Sequence, residues 1–293
     1  MGTNKTGMEN KEATAPEALF FDSHMHTPLC RHAFGEPEEY VAQGHSAGLR
    51  GIVFTCHSPM PDRFSHAVRM RPEEFETYVE LIRRAGASAP EGFEVRLGLE
   101  SDWFPGMEAW LEDLHRRADF HYILGSVHWH IPEYLDVFYT GDLLAFHRGY
   151  FGHLAESAES GLFDCLSHPD LVKNATPSEW DFELVKDEIA RALDRIAATG
   201  VAMELNTSGR NKNFPEMNPG PEMLSMMAER GIPIVIGSDS HIPGRVSDGF
   251  TEALDLLERA GFREVNVFQH RRRQAFSIPT VRNSLIVPGR GTE

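Results

Sequence analysis

The chain has no long hydrophobic run. No stretch approaches the roughly 20 apolar residues that a membrane span needs, so a membrane protein is not expected. Residues 1–18 are polar and lack the apolar core of a signal peptide, and they read as a disordered N-terminal tail. Cysteine is scarce: Cys30, Cys56 and Cys165 are odd in number and widely spaced, which excludes a disulfide framework. Reduced thiols and a cytoplasmic location are the simple expectation. Positive charge is short as well, with 28 Lys and Arg against 44 Asp and Glu and a formal net charge of −16. Such a chain repels nucleic acid unless a local basic patch overrides the global field. The single dense basic run, Arg271-Arg272-Arg273, reads as a solvated face. Repeats and linkers rich in Gly, Ser or Pro are also missing, so residues 19–293 read as one domain, a length that single barrels reach.

What the chain does have is a rhythm. Short apolar, β-branched runs occur at Leu19–Ser23, Gly51–Cys56, Phe93–Leu99, Phe120–Val127, Leu162–Ser167, Val201–Asn206 and Ile232–Ser238. Amphipathic segments alternate with them: Pro37–Ala47, Pro72–Ala87, Met107–Arg117, Asp142–Ser160, Glu179–Thr199, Pro221–Arg230 and Ser247–Ala260. Alternating strands and helices imply parallel strands joined by crossovers. Seven such units suggest a (β/α) barrel one unit short of the usual eight, with an open doubly wound sheet as the alternative.

The 15 histidines are not scattered over this pattern. His24 and His26 end the first run, His57 the second, Glu100 the third, His128 the fourth and His168 the fifth. Asp239 and His241 follow the seventh, and His32 lies in the loop after the first. In a closed parallel barrel these C-terminal strand ends converge on one mouth. Residues two apart in extended backbone point the same way, so His24 with His26, and Asp239 with His241, each present two donors to one place. One imidazole at a strand end is most often a satisfied polar residue. Seven histidines and two acids at six of seven ends and one adjoining loop have no such bland account. They read as a metal site for Zn, Fe or Mn. Nine donors exceed the four to six that one ion takes, so two or three divalent ions are expected. The other eight histidines, His45, His66, His115, His121, His130, His147, His153 and His270, read as ordinary.

This ligand order resembles that of the PHP (polymerase and histidinol phosphatase) family, over roughly Phe20 to Ala260. The segments His24-Met25-His26-Thr27-Pro28-Leu29-Cys30-Arg31-His32, Phe54-Thr55-Cys56-His57-Ser58-Pro59 and Glu204-Leu205-Asn206-Thr207-Ser208-Gly209-Arg210 resemble its histidinol phosphatase branch. The resemblance implies a distorted seven-unit (β/α) barrel with three ions. His24, His26, Glu100 and Asp239 would hold one. Glu100, His128 and His168 would hold a second, and His32, His57 and His241 the third. It further implies a metal-dependent phosphomonoesterase that hydrolyses L-histidinol phosphate in histidine biosynthesis. Glu100, Asp239 and His241 would stand closest to the chemistry.

A small phosphorylated metabolite is therefore the expected partner. The alternatives are another phosphorylated metabolite or a nucleotide on the same site, an amidohydrolase (whose barrels also begin with an H-x-H pair), or a non-catalytic metal-binding module. Arg210, after the sixth run, is the first choice for the cation that meets the phosphate, because its fork suits a dianion. Arg245 and Lys212 are also eligible. Asn206 would bond substrate or a ligating histidine. Asp22 could orient an imidazole, and Asp62 or Glu216 could meet a substrate amine.

Overall fold

The computed structural model describes residues 20–285. The expected tail lies outside them, as does Leu19. Seven short strands run in sequence order, each parallel to the next: β1 (Phe21–Asp22), β2 (Gly51–Phe54), β3 (Glu94–Asp102), β4 (Tyr122–Ser126), β5 (Cys165–Leu166), β6 (Ala202–Asn206) and β7 (Ile234–Gly237). All but the start of β3 are buried on both faces, which is why they read as apolar runs rather than alternations. A doubly wound sheet reverses its strand order at a switch point; this one does not. The two ends of the run also meet. Met25, beyond β1, forms a parallel bridge with Ser240, beyond β7. There His26 N–H donates to the Ser240 carbonyl at 2.9 Å, and Ser240 N–H donates to the His24 carbonyl at 3.2 Å.

The sheet has nine strands rather than the seven expected. β8 (Glu264–Gln269) pairs with β7 through Val235 and Asn266, and β9 (Arg272–Ser277) returns antiparallel along it. The basic run sits in this hairpin with all three arginines exposed, as a solvated face requires, and one of them is also anchored. Arg271 Nε donates to Asp164 at 2.9 Å and its backbone N–H to the His121 carbonyl at 3.0 Å. Arg96 Nη1 reaches the Phe268 carbonyl at 2.8 Å. The hairpin is thus tied to residues at the starts of β3 to β5, the end away from the nine candidate ligands.

Nine helices are described: α1 (Pro37–Ser46), α2 (Phe75–Ala87), α3 (Glu108–His115), α4 (Pro132–Phe138), α5 (Leu143–Glu159), α6 (Lys186–Thr199), α7 (Pro221–Glu229), α8 (Phe250–Ala260) and α9 (Ile278–Ser284). In α6 the logic is plain. Ile189, Ala192, Leu193 and Ile196 recur on one face and are buried, Asp187 and Glu188 occupy the positive first turn, and Gly200 ends it at φ 75°. It starts at Lys186, later than the pattern suggested. Two short 3-10 turns precede it, the second capped by the Asp181 side chain on Glu183 N–H. No helix among the described residues is long and apolar enough to cross a membrane.

Candidate metal centre

The seven histidines and two acids converge. With Arg69, Lys212 and a few loop residues, six of them line a cavity of about 650 Å³, while His24 and His26 lie beneath it, fully buried. His32 completes the lining from the loop after β1. Glu100, on β3, is the hub. Its Oε2 lies 2.8 Å from His57 Nδ1, 3.5 Å from His24 Nε2 and 3.6 Å from His26 Nε2. Its Oε1 lies 3.0 Å from His168 Nε2 and 3.4 Å from His128 Nε2. One carboxylate therefore addresses two separate sets of imidazoles. Asp239 Oδ1 lies 3.1 Å from His26 Nε2 and 3.6 Å from His24 Nε2. Two of these residues have backbones in the left-handed region, Asp239 at φ 51° and His168 at φ 25°, strain that the surrounding packing must hold.

The donor set fits bound cations. In four of the rings Nδ1 is occupied by the protein and Nε2 points inward. His24 Nδ1 meets Glu204 at 2.7 Å, His128 Nδ1 meets Asp102 at 2.6 Å, His32 Nδ1 meets the Cys30 carbonyl at 2.7 Å, and His241 Nδ1 meets the Asp239 carbonyl at 3.0 Å. With Nδ1 as the donor, each inward Nε2 is a free lone pair. His32 Nε2 and His241 Nε2 face one another at 2.8 Å, which two lone pairs tolerate only around a proton or an ion. His24 Nε2, His57 Nδ1 and Glu100 Oε2 are buried without a hydrogen-bond partner, an arrangement too costly to leave empty. Three donors from different residues lie within 4.8 Å of one another in His24–His26–Glu100, in His32–His57–His241 and in His57–Glu100–His128. The first holds three of the four residues that the resemblance groups around one ion, without Asp239, and the second is the whole of another grouping. In the third, His57 stands where His168 was expected, though His168 faces the same Glu100 oxygen as His128. A further set, His26–Cys30–His241, includes the buried Cys30 thiol.

Without an ion the carboxylates recruit protons instead. Burial opposes a charged ring at His128, but Asp102 and Glu100 outweigh it and hold its pKa up at about 10. Burial likewise opposes charge at His26, and bonds to Asp239 and Cys56 raise it to about 9. His57 goes the other way, pushed down to about 4 chiefly by burial. An ion can use His26 and His128 only after their protons leave. Below about pH 9 protons and ions compete, so metal affinity should rise steadily from about pH 6 to pH 9. Competition against a fluorescent zinc chelator across that range checks this, and a flat profile would contradict it.

Several residues that support the centre gave no clear sign in the sequence. Glu204, on β6, holds His24 through Oε1 and accepts from His168 N–H at 2.9 Å and Asn206 Nδ2 at 3.0 Å through Oε2. The nearby Gly237 leaves it room, for a Cβ there would sit 2.1 Å from Glu204 Oε1 and 2.6 Å from His24 Cβ. Asp102, two residues beyond Glu100 on the same face of β3, holds His128 and is itself ion-paired to Arg69. Burial would raise the Asp102 carboxyl, but Arg69 and His128 hold it well below the usual range.

The expected substrate contacts fall differently. Arg210 is engaged by Asp248 and by Glu252 at 2.6 Å, outside the cavity lining, because the loop before α8 and the first turn of α8 each supply an acid. Arg245 does not line the cavity either. Asn206 is saturated within the protein: Nδ2 donates to Glu204 and, at 3.3 Å, to Asp239, while Oδ1 accepts from Ser208 N–H and Oγ–H. Asp22 orients backbone, not an imidazole, accepting from Ser238 N–H at 3.0 Å and Ser247 N–H at 2.9 Å. Asp62 lines a different hollow, and Glu216 is bound to the buried Lys173 at 2.9 Å. The cations that do line the cavity are Lys212, whose Nζ is 3.4 Å from Asp239 Oδ2, and Arg69.

A parallel-stranded α/β fold with imidazoles and carboxylates gathered at its strand ends defines a metal-dependent hydrolase of the barrel type. The PHP domain model matches residues 22–208, and the chain belongs to the PHP family. A protein of Deinococcus radiodurans named probable histidinol-phosphatase is 39% identical over 259 residues, covering 86% of this chain and 98% of that one. The histidinol-phosphatase of Bacillus subtilis is 24% identical over 264 residues, covering 80% and 98%. Among solved structures, histidinol phosphate phosphatase from Lactococcus lactis, complexed with zinc, L-histidinol and phosphate, superposes with a TM-score of 0.72 at 20% identity, covering 87% and 98%. That likeness establishes the shared fold.

Proposed function

We propose that this protein is a metal-dependent phosphomonoesterase that hydrolyses L-histidinol phosphate to L-histidinol and phosphate, and that His24, His26, His32, His57, Glu100, His128, His168, Asp239 and His241 hold its ions. The observation that carries the reading is Glu100, with one oxygen turned to His24, His26 and His57 and the other to His128 and His168. The 39% identity to a relative with the histidinol-phosphatase name supports the choice of substrate. Bound ions supply Lewis acidity, a water of lowered pKa and the positive charge that a phosphate dianion requires. The chain's own residues do the rest. Glu204 and Asp102 fix the tautomers of His24 and His128, Lys212 offers its ammonium to the phosphate, and the complete burial of His24 and His26 keeps bulk water from them.

Lys212→Ala should therefore raise KM for the phosphate ester about tenfold, while Arg210→Ala leaves KM near its original value; steady-state kinetics on both variants decides between the two cations. The function itself is tested by phosphate release from L-histidinol phosphate beside a panel of other phosphomonoesters, mononucleotides and a phosphodiester, on protein of measured metal content. A kcat/KM for histidinol phosphate far above the rest, lost on chelation, is the expected result. Broad activity, or none with metal loaded, would remove the substrate assignment.

A further inference from the structure

The cavity is short of one kind of group. Its only carboxylates among the described residues are Glu100 and Asp239, both placed among the imidazoles. A leaving group that carries an amine and an azole ring thus finds no free acid on the lining. What it does find, beside the cations Arg69 and Lys212, are groups that both donate and accept hydrogen bonds. His130 and Asn213 line the cavity, are exposed, and make no hydrogen bond to another described residue. Asn174, by contrast, is spoken for: its Oδ1 accepts from Phe214 N–H at 2.9 Å. Trp129, also on the lining, is a fixed wall, because its Nε1 donates to the Leu171 carbonyl at 3.1 Å. The His130 ring stands 5.5 Å from both the Trp129 ring and the His128 ring, at 75° to each. It is one ring away from the metal centre.

Building on the proposed phosphatase reading, we propose that Trp129, His130 and Asn213 form the subsite that selects the leaving group, and that this subsite takes a neutral nitrogen heterocycle. An azole has one N–H and one bare nitrogen. It pairs with an imidazole or a carboxamide, each of which offers both a donor and an acceptor. The indole supplies a face against which a ring packs, and on which an ammonium is also attracted. A carboxylate would serve a cation but would reject the acceptor side of the ring. Unpaired His130 and Asn213 are consequently the signature of selection by matched hydrogen bonds rather than by charge.

The test is a ratio, measured on metal-loaded enzyme: kcat/KM for L-histidinol phosphate over kcat/KM for glycerol 2-phosphate. In His130→Ala and Trp129→Ala this ratio should fall about tenfold or more, and the Ki of L-histidinol as a product inhibitor should rise in step. His130→Gln, which keeps a donor and an acceptor, should recover part of the loss. A ratio unchanged in both alanine variants, or an equal loss on both substrates, overturns the subsite, the latter because it would place these residues in support of the metal centre. If the unaltered enzyme shows no preference between the two substrates, the histidinol phosphate reading falls and the subsite with it, an outcome recognisable before any variant is made.

Discussion

Replacing Glu100 with Gln should lower kcat/KM by about a thousandfold or more, the equivalent of about 4 kcal/mol of transition-state stabilisation, and should reduce the metal bound per chain. The argument is one of geometry and charge together. Each oxygen of Glu100 faces a different set of imidazole nitrogens, the nearest at 2.8 Å and 3.0 Å. An amide keeps the shape but turns one of the two acceptors into a donor, aimed at lone pairs, and removes the charge. Two ions whose own charges repel would lose the shared carboxylate that offsets them. Metal analysis and phosphate-release kinetics on the same preparation are the check. A variant with full metal content and a near-normal rate would falsify the shared role of Glu100.

The second large effect is expected on stability. Arg69 is 2% exposed and ion-paired to Asp102, equally buried, and its Nη1 donates to the Ser58 carbonyl at 2.9 Å. Arg69→Ala leaves the buried Asp102 carboxylate with His128 in place of two cationic partners, a defect that costs on the order of 3 kcal/mol. In a domain of this size the melting temperature of the apo protein should drop by on the order of 10 °C. Activity should fall as well, since Asp102 holds Nδ1 of His128, and loss of such an outer partner commonly costs about 10–100-fold in metal affinity or rate. Asp102→Asn together with Arg69→Met removes both charges and should recover much of the lost stability but not the activity. Differential scanning fluorimetry and kinetics on the three proteins separate the two contributions. Equal melting temperatures for Arg69→Ala and the unaltered chain would refute the account.

The convergence of the candidate ligands was legible in the sequence because strand ends were legible. An apolar run that stops at a histidine states both where the residue sits and which way the chain turns next. The supporting residues lacked that advantage, for their partners are remote. Glu204 is 180 residues from His24, and nothing local names the pair. Its one signal was its place: a carboxylate inside the apolar run Val201–Asn206 must have a partner, since burying it bare is prohibitive. Asp102 could have been found as the residue two beyond Glu100. Arg69, in an irregular loop, gave no signal. Arg210 misled for the opposite reason. Its position at the right end of the barrel was sound, but the acids that capture it, Asp248 and Glu252, come from the next unit. The β8–β9 hairpin was missed because its turn and second strand carry three exposed arginines rather than an apolar run, and the tie from Arg271 to Asp164 spans 107 residues.

The bridge between Met25 and Ser240 has a consequence for biosynthesis. His26 and Asp239 meet across 213 residues of chain, a closure whose entropic cost local structure cannot offset. During translation the early ligands His24 and His26 emerge long before Asp239 and His241, so the complete cluster cannot form on a partly made chain. Full loading of the cluster would therefore wait until β7 and the residues that follow it have docked. Ions held there would tie that seam together, and the loaded protein would gain stability with the logarithm of their free concentration over their dissociation constants.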